Sequence, residues 1–270
     1  MFAHPSDLAA QIGDASAIIM AKGEAPDTPL AIVHDLIRLG RRNLHIVTLP
    51  ACANPVSGMA VDMLIGSGCV ASIETSGVSL GEVGSAPQFT NAVREGRIAI
   101  TDATCPALYA AVQAGAKGQP FTTLRGLIGS DVERHREDYR VIDNPFEPGD
   151  PVVAIKAINP DVAVFHAPAA DRNGNIWIGR NRDLLYAAQS ANRAVITVEE
   201  VHDTDYFDDD KMAAGVLPAA YVTAVAHVPG GARTGIPGRI SEHVAAYRQA
   251  ARSPEGFASW MSGTLSQVAA

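Results

Sequence analysis

The sequence predicts an α/β fold in which an open, mainly parallel, mixed-edge sheet is flanked by helices. From Ala17 to Ala116, short apolar runs alternate with helical patterns, as is typical of parallel βαβ units. Further along, Asp171–Asn175 (DRNGN) contains an Asn-Gly turn signal between two apolar runs. Because a hairpin joins two antiparallel strands, we expect these later strands to give the sheet a mixed edge.

The elements of the first half follow from the positions of apolar residues, prolines and glycines. Apolar residues at helical spacing predict helices at Ser6–Gly13, Pro29–Leu39, Ser57–Ile65, Pro87–Arg94 and Ala107–Ala116. Short apolar runs between them predict strands at Ala17–Met20, Leu44–Leu49, Val70–Glu74 and Ile98–Thr101. Gly40 is expected to end the second helix.

The second half contains fewer predictable elements. Apolar runs bounded by Pro, Asp or Gly predict buried strands at Val152–Ile155 and Val162–His166, with Ile176–Ile178 as the returning strand of the hairpin. A helix and another apolar strand are expected within Asp183–Val198. The charge run Phe207–Lys211 (FDDDK) favours a solvated loop over a cation site.

Composition limits the classes of function. The 270 residues are 47% hydrophobic, which is enough for a sizeable core, and we predict a single domain over residues 1–270. A net charge of −8 gives no basic footprint for nucleic acid. The sequence shows no signal-peptide pattern and no apolar run near the roughly 20 residues of a membrane span. Three cysteines without paired spacing, Cys52, Cys69 and Cys105, suggest a reducing cytoplasm.

Metal and dinucleotide motifs are absent from the sequence. The eight histidines show no HxxxH spacing, and CxxC does not occur. The glycines at 77, 81 and 84 do not form GxGxxG. His166 ends an apolar run and is interpreted as a core or edge histidine. We therefore expect neither a metal nor a permanently bound cofactor.

Several short motifs carry a family resemblance along nearly the whole chain. In order they are Asp62–Gly66 with Gly68, Glu74–Ser76, Ala86–Phe89, Gly118–Phe121, Asp143–Phe146, Pro160–Ala163 and Pro229–Ala232, followed by a helix that bears Tyr247. Each motif is weak alone, but their order is specific. The chain resembles the α-type (A) subunit of family I CoA-transferases, of the glutaconate and 3-oxoacid type.

The resemblance implies one subunit of a heteromeric enzyme that moves CoA between an acyl-CoA and a carboxylic acid. In this family a glutamate attacks the thioester, and an enzyme-bound CoA thioester follows an acyl-glutamyl anhydride. That glutamate belongs to the β-type subunit in heteromeric members. The resemblance therefore implies a β-type partner, CoA as a substrate, and no catalytic nucleophile in this chain.

The segment Glu74–Gly84 (ETSGVSLGEVG) is the strongest candidate for a wall of the shared site. It follows a predicted strand, and ligands of open α/β sheets gather beyond the carboxyl ends of strands. Small residues allow close approach and hydroxyls bind carboxylates, so the substrate-binding candidates are Ser76, Gly77, Ser79 and Glu82. Related subunits often carry an aromatic at the position of Gly77, so its absence should re-shape the acyl pocket. The alternative is a loop whose glycines only set backbone angles.

Glu82 is the fallback catalytic residue of this chain, because a carboxylate in a glycine-rich loop can orient substrate or act as a base. A surface or helix-capping glutamate is the alternative. Gly129 and Ser130 are candidates for binding an oxyanion or phosphate, with a helix cap as the alternative for Ser130.

Basic residues and a departure from the family pattern add further candidates. Arg180, Arg233 and Arg239 are candidates for CoA phosphates, although exposed arginines without a ligand are common. Ala21-Lys22 stands where many α-type chains have Gly-Gly, which puts the family's usual role of this loop in doubt. Lys22 is either a partner for a carboxylate or phosphate, or a solvent-facing lysine.

Cys105 bears on two competing functions. Related heteromeric hydrolases, which open a ring of a steroid-derived CoA thioester, carry a catalytic glutamate in the segment that corresponds to Thr101–Leu108, and Cys105 aligns with it. A thiol does not readily replace a carboxylate base, so transfer is favoured over hydrolysis, and Cys105 is expected to be a buried packing residue. A non-catalytic binding or regulatory module on the same sheet is the third alternative.

Overall fold

The computed structural model describes residues 2–20, 25–49, 54–232 and 240–267. Its helices are α1 Pro5–Ala10, α2 Leu30–Arg38, α3 Pro55–Gly66, α4 Pro87–Arg94, α5 Cys105–Ala116, α6 Asp131–His135, α7 Arg182–Ser190, α8 Asp210–Ala213, α9 Ile240–Ala250 and α10 Pro254–Gln267. Its strands are β1 Ala17–Met20, β2 Leu44–Thr48, β3 Val70–Thr75, β4 Ala99–Asp102, β5 Phe121–Leu124, β6 Tyr139–Ile142, β7 Val152–Lys156, β8 Val162–Asp171, β9 Ile176–Trp177, β10 Arg193–His202, β11 Val216–Leu217 and β12 Ala224–His227. None of the described helices is long and apolar enough to span a membrane.

The main sheet is mostly parallel, as predicted. Its parallel strands lie in the order β12-β10-β8-β1-β2-β3-β4. Beyond the end of β1, the short strand β9 pairs antiparallel with β8, and β11 pairs antiparallel with β9. These two short strands give the sheet its mixed character.

Helices cover both faces of the main sheet, as a parallel sheet requires. Side chains of β1 alternate between the two cores, with Ile18 on one face and Ile19 on the other. The first core includes buried residues of α2, α3, α9 and α10, and the second includes residues of α5 and α7. Because both faces are buried, the strands read as short apolar runs in the sequence.

Local capping explains where several helices begin and end. Asn54 accepts a hydrogen bond from the backbone N–H of Val56, so α3 begins at Pro55, earlier than the predicted start at Ser57. Gly40 has φ of 67° and follows α2, as predicted. Thr104 caps α5, so this helix begins at Cys105 and not at Ala107.

The hairpin at Asp171–Asn175 is confirmed. The Asp171 side chain accepts hydrogen bonds from the backbone N–H groups of Asn173, Asn175 and Tyr206, and Gly174 adopts φ of 83°. Strands β8 and β10 are longer than predicted because they pair along their whole lengths, from Val162 with Arg193 to Asp171 with His202.

Residues 121–156 form a small lobe that the sequence did not predict. Its antiparallel sheet has the order β5-β7-β6 and packs on α5 through Tyr139, Val153 and Ile155. The strand predicted at Val152–Ile155 exists, but it is the centre of this second sheet and does not lie in the main sheet. Residues Phe207–Lys211 are exposed, as predicted, but the predicted loop is wrong in part, since Asp209 caps the short helix α8 there.

Candidate active site

The carboxyl ends of four neighbouring parallel strands lie level with one another. In the register of the main sheet Met20 pairs with Thr48, Thr48 with Thr75, and Thr75 with Asp102. We call this end of β1–β4 the carboxyl edge. Loops at the carboxyl ends of an open α/β sheet are where ligands bind.

Two buried threonines shape the loop that follows β3. The Thr48 hydroxyl donates to Thr75 Oγ1 over 2.7 Å. Thr75 Oγ1 accepts from the Gly77 N–H over 2.9 Å and donates to the Gly77 carbonyl over 3.1 Å. Ser76 lies between Thr75 and Gly77, and its side chain is partly exposed at the carboxyl edge.

The space beside Gly77 is open. Its φ is 148°, and a Cβ built there would meet no atom within 4 Å. A side chain at this position would therefore be limited by backbone conformation and not by crowding. The re-shaped acyl pocket expected at Gly77 stays a prediction.

Ser76 and Cys105 are brought together at the carboxyl edge. Cys105 is the first residue of α5, directly after β4, and its thiol donates to Ser76 Oγ over 3.1 Å. Cys105 was expected to be buried, but it is partly exposed. The reason is its place in the first turn of α5, where Thr104 caps the helix and the side chain lies beside the β3 loop.

Further polar contacts join α5 to the first turn of α7. Tyr109, one helical turn after Cys105, donates its hydroxyl to Asp183 Oδ2 over 3.0 Å. Burial and the charge of Asp183 raise the pKa of Tyr109 above its usual range, so the phenol stays protonated at neutral pH. Asn181, the cap of α7, donates to Asp27 Oδ2 over 2.8 Å.

A cavity of about 420 Å³ lies beside this chain of contacts. It is lined by Pro26, Asp27, Ile178, Arg180, Asn181, Arg182 and Asp183. Arg180, a predicted candidate for binding phosphate, is thus in the wall of a cavity. Arg182 donates to the backbone carbonyl of Ala214.

The first glutamate of the ETSGVSLGEVG loop is engaged in an ion pair. Glu74 is buried, and its Oε1 accepts from Arg136 Nη2 over 2.7 Å. The same guanidinium donates from Nη1 to the Asp102 carbonyl over 2.9 Å. A buried carboxylate held in this way is not placed to attack a thioester.

Glu82 does not lie with Ser76 and Cys105. It is exposed, and its carboxylate accepts from the Ser241 hydroxyl over 2.8 Å. Ser241 belongs to α9, which packs on the face of the main sheet opposite to α5. A hydrogen bond from the Glu82 backbone N–H and the one from Ser241 lower the pKa of this carboxyl, which makes it a weaker base.

The other predicted binding residues are engaged locally. Ser79 Oγ accepts from the Gly81 N–H over 3.3 Å. Ser130 lies in the small lobe, where its hydroxyl accepts from the Glu133 N–H and donates to the Leu127 carbonyl. That is the helix cap named as the alternative, and Gly129 precedes it with φ of 76°.

His166 is a core histidine, as interpreted from the sequence. Its Nδ1 lies 2.8 Å from Thr197 Oγ1, and its Nε2 lies 3.3 Å from Glu199 Oε2. The same Glu199 oxygen accepts from the Gly230 N–H over 2.7 Å. Burial lowers the pKa of His166, while Glu199 opposes that shift.

Several candidates lie outside the described residues, namely Ala21, Lys22, Gly23, Cys52, Arg233 and Arg239. Their proposed roles stay predictions. Within the described ranges, no group of three or more His, Cys, Asp or Glu side chains is arranged to hold a metal ion.

Three functional candidates were missed from the sequence: Tyr109, Arg136 and Asp183. Tyr109 carried one usable signal, because it lies a helical turn after Cys105 on a helix that was predicted. Arg136 and Asp183 carried none, since their partners Glu74 and Tyr109 are distant in sequence.

Comparison with known proteins gives the family. The sequence profile of the coenzyme A transferase family matches residues 4–227. The chain is 33% identical to the A chain of 3-oxoadipate CoA-transferase from Pseudomonas knackmussii, over 86% of this chain and 82% of that one. It is 29% identical to the A chain of glutaconate CoA-transferase from Acidaminococcus fermentans, over 76% of this chain and 67% of that one.

A solved structure is similar over almost the entire length. The crystal structure of a single-residue variant of the decarboxylase AibA/AibB superposes with a TM-score of 0.84 and 27% identity, and the match covers 98% of both chains. The fold, the order of the motifs and these matches agree. The chain therefore belongs to the coenzyme A transferase family, as an A-type subunit.

Proposed function

We propose that this chain forms one wall of the active site of a heteromeric CoA-transferase, whose B-type partner supplies the nucleophilic glutamate. The complex moves CoA between an acyl-CoA and a carboxylic acid. The observation that carries this proposal is the family match over residues 4–227. CoA enters and leaves as a substrate, and no cofactor is bound permanently.

The contacts of Glu74 and Glu82 support an active site that is shared between two chains. The nucleophile of this reaction must be a carboxylate that can reach the thioester carbon. Glu74 is buried against Arg136, and Glu82 contacts Ser241 of α9, away from the Ser76–Cys105 pair. The two glutamates of the ETSGVSLGEVG loop are therefore poorly placed, and a partner's glutamate fits the role better.

In the proposed reaction the partner's glutamate attacks the acyl-CoA carbonyl, and the C–S bond breaks to release the CoA thiolate. The thiolate then attacks the glutamyl carbonyl of the anhydride, which frees the first acid and leaves CoA on the glutamate. A second acid reverses these steps. In this proposal the Ser76 hydroxyl donates to a developing oxyanion, and the N-terminus of α5 adds partial positive charge.

We further propose that the acyl group carries a second carboxylate. The two relatives are named for 3-oxoadipate and glutaconate, which are both dicarboxylic acids. Arg180, in the wall of the 420 Å³ cavity, is the proposed partner of the distal carboxylate. The open space beside Gly77 would accommodate the chain between the two carboxyl groups.

The test is a transfer assay on the complex of both chains, produced together. Acyl-CoA donors are incubated with glutaconate, 3-oxoadipate and a monocarboxylate such as butyrate, and each new CoA ester is measured. We expect transfer by the complex, preference for dicarboxylic acceptors, and no transfer by either chain alone. Transfer at full rate by this chain alone would overturn the split site. We place the complex in the cytoplasm, where CoA esters are available and thiols stay reduced.

Decarboxylation of a CoA ester is a second candidate, favoured by the match to a decarboxylase over 98% of both chains. The same incubations separate the candidates by product. Transfer yields a new CoA ester, decarboxylation yields CO₂ and a shortened ester, and hydrolysis yields free CoA. A complex that releases CO₂ without exchanging CoA would replace the transferase proposal.

A further inference from the structure

The guanidinium of Arg136 joins the small lobe to the carboxyl edge. Two of its nitrogens hold the Asp138 carboxylate within the lobe, Nε and Nη2, each at 2.8 Å. Nη2 also donates to Glu74 Oε1 over 2.7 Å, and Nη1 donates to the Asp102 carbonyl over 2.9 Å. The ring of Tyr139 lies 4.3 Å from the guanidinium carbon. One planar group thus contacts the ends of two strands and the lobe at once.

The strand ends that Arg136 holds lead directly into the two partly exposed residues of the carboxyl edge, Ser76 and Cys105. Glu74 is two residues before Ser76, and Asp102 is three residues before Cys105. The spacing between the ends of β3 and β4 therefore governs the contact between the Ser76 hydroxyl and the Cys105 thiol, which is 3.1 Å long.

Burial makes this arrangement rigid. Arg136 is only 8% exposed, and the Glu74 side chain is 11% exposed. Charge-assisted hydrogen bonds in such surroundings are short and directional. A lysine would keep the positive charge, but it lacks the planar fork that serves Asp138, Glu74 and the Asp102 carbonyl together.

We propose that Arg136 is a positioning residue that sets the Ser76–Cys105 pair for the transfer reaction. This inference rests on the proposed function, because it assigns the pair to the wall of the transferase site. Arg136 does not touch the substrate; it acts through the ends of β3 and β4.

The first test follows the pair itself, in the assembled complex of both chains. Arg136→Lys, Asp138→Asn and the wild type are treated with iodoacetamide, and alkylation of each cysteine is followed by peptide mass spectrometry. Cys69 is fully buried, so its protection shows that the chain is folded. We expect Cys105 to be alkylated at least about threefold faster in Arg136→Lys, because the thiol loses its fixed acceptor and becomes more accessible.

The matched control is Arg125→Lys. Arg125 pairs with Asp150 in the same lobe, but its side chain is 67% exposed and it does not contact the carboxyl edge. This variant should alkylate like the wild type. If Arg136→Lys loses protection of Cys69, the milder Asp138→Asn, which loosens the same guanidinium, is used in its place.

The second test measures transfer by the assembled complex. We expect Arg136→Lys to lower kcat by about tenfold or more while KM changes by less than about threefold, because a misplaced Ser76 hydroxyl and α5 N-terminus lose transition-state contacts, whereas the Cys105 thiol only reports the displacement. Arg125→Lys should change neither constant. A general loss of folded protein would reduce the active fraction and expose Cys69, which the first test detects.

The outcomes are distinct. A folded Arg136→Lys chain with wild-type alkylation of Cys105 overturns the inference, whatever its activity. Faster alkylation with unchanged kcat overturns the role in the reaction. If the wild-type complex transfers no CoA at all, the proposed function fails, and the alkylation comparison still decides whether Arg136 sets the pair.

Discussion

At the scale of single residues, the thiol of Cys105 invites a catalytic role, but its surroundings argue against one. A nucleophilic thiol is normally activated by a base together with nearby positive charge, and the N-terminus of α5 offers Cys105 only partial positive charge. The partner of Cys105 in the described structure is the Ser76 hydroxyl, which accepts the thiol's hydrogen bond and is not a base at neutral pH. Tyr109 stays protonated because its pKa is raised.

Cys105→Ala should therefore retain most transfer activity in the complex. The variant loses one hydrogen bond at a partly exposed position, so unfolding free energy should fall by only about 0.5–1.5 kcal/mol. Steady-state kinetics and urea denaturation measure the two effects, with Cys105→Ser as the variant that keeps a donor. Loss of all activity in a folded, assembled Cys105→Ala complex would make the thiol catalytic.

Cys105→Glu tests the hydrolase alternative, because the family resemblance led us to expect Cys105 at the position of a hydrolase glutamate. We expect no efficient hydrolysis, since a new carboxylate also needs a tuned pKa and a placed water. Release of free CoA from acyl-CoA measures it. Rapid hydrolysis by this variant would show that the chain retains the rest of a hydrolase site.

The site was only partly predictable at this scale. Ser76 followed from small and hydroxyl-bearing residues placed after a strand. Arg136 did not, because its partner Glu74 is 62 positions away and only the fold brings them together. Cys105 was expected to be buried because cysteines usually are. Residue type alone does not show that Cys105 begins a helix and is therefore partly exposed.

At the scale of elements, one buried carboxylate joins three helices. Asp62 of α3 accepts from the backbone N–H groups of Gln88 and Phe89 at the start of α4, and from the Tyr247 hydroxyl of α9. Asp62 and Tyr247 both belong to the motifs of the family resemblance. The hydrogen bond between them gives a physical reason why both residues are part of the same family pattern although they are far apart in sequence.

The Asp62 carboxyl should make stability depend on pH. Burial raises its pKa to about 6, although the hydrogen bonds from Phe89, Tyr247 and Gln88 favour the ionised form. Because the folded pKa exceeds the unfolded value, this group's contribution to stability is full below about pH 4 and is lost as pH rises through 6. Asp62→Asn removes this titration.

The unfolding free energy of Asp62→Asn, relative to the wild type, should therefore rise by roughly 2–3 kcal/mol between pH 4 and pH 7. Urea denaturation at several pH values measures the difference. Asp131→Asn is the control substitution, at a side chain that is 84% exposed. A constant difference for Asp62→Asn would mean that its pKa is not raised.

Two helical glycines should respond to alanine in opposite directions. A Cβ on Gly115 of α5 would lie 2.2 Å from the Ile158 carbonyl oxygen, whereas one on Gly263 of α10 would meet nothing within 4 Å. Gly115→Ala should lose roughly 1–3 kcal/mol of unfolding free energy. Gly263→Ala should gain up to about 1 kcal/mol. Denaturation curves compare the two, and a stabilised Gly115→Ala would contradict the close packing of α5 on the chain after β7.

At the scale of the whole molecule, the main sheet was predictable and the small lobe was not. Strands β1–β4 are short apolar runs separated by helical patterns, so local sequence identifies them. Strand β5 reads Phe-Thr-Thr-Leu, is partly exposed, and pairs with β7, with Phe121 opposite Lys156. Such a strand has no local signature and forms only when a distant segment completes the sheet.

The central claim is that this A-type chain works with a nucleophile on its partner. Intact-mass spectrometry tests it most directly, on the assembled complex quenched in acid after incubation with an acyl-CoA donor and no acceptor. We predict a CoA adduct on the partner chain, removed by hydroxylamine as a thioester should be, and an unmodified mass for the chain described here. A CoA adduct on this chain would contradict the account.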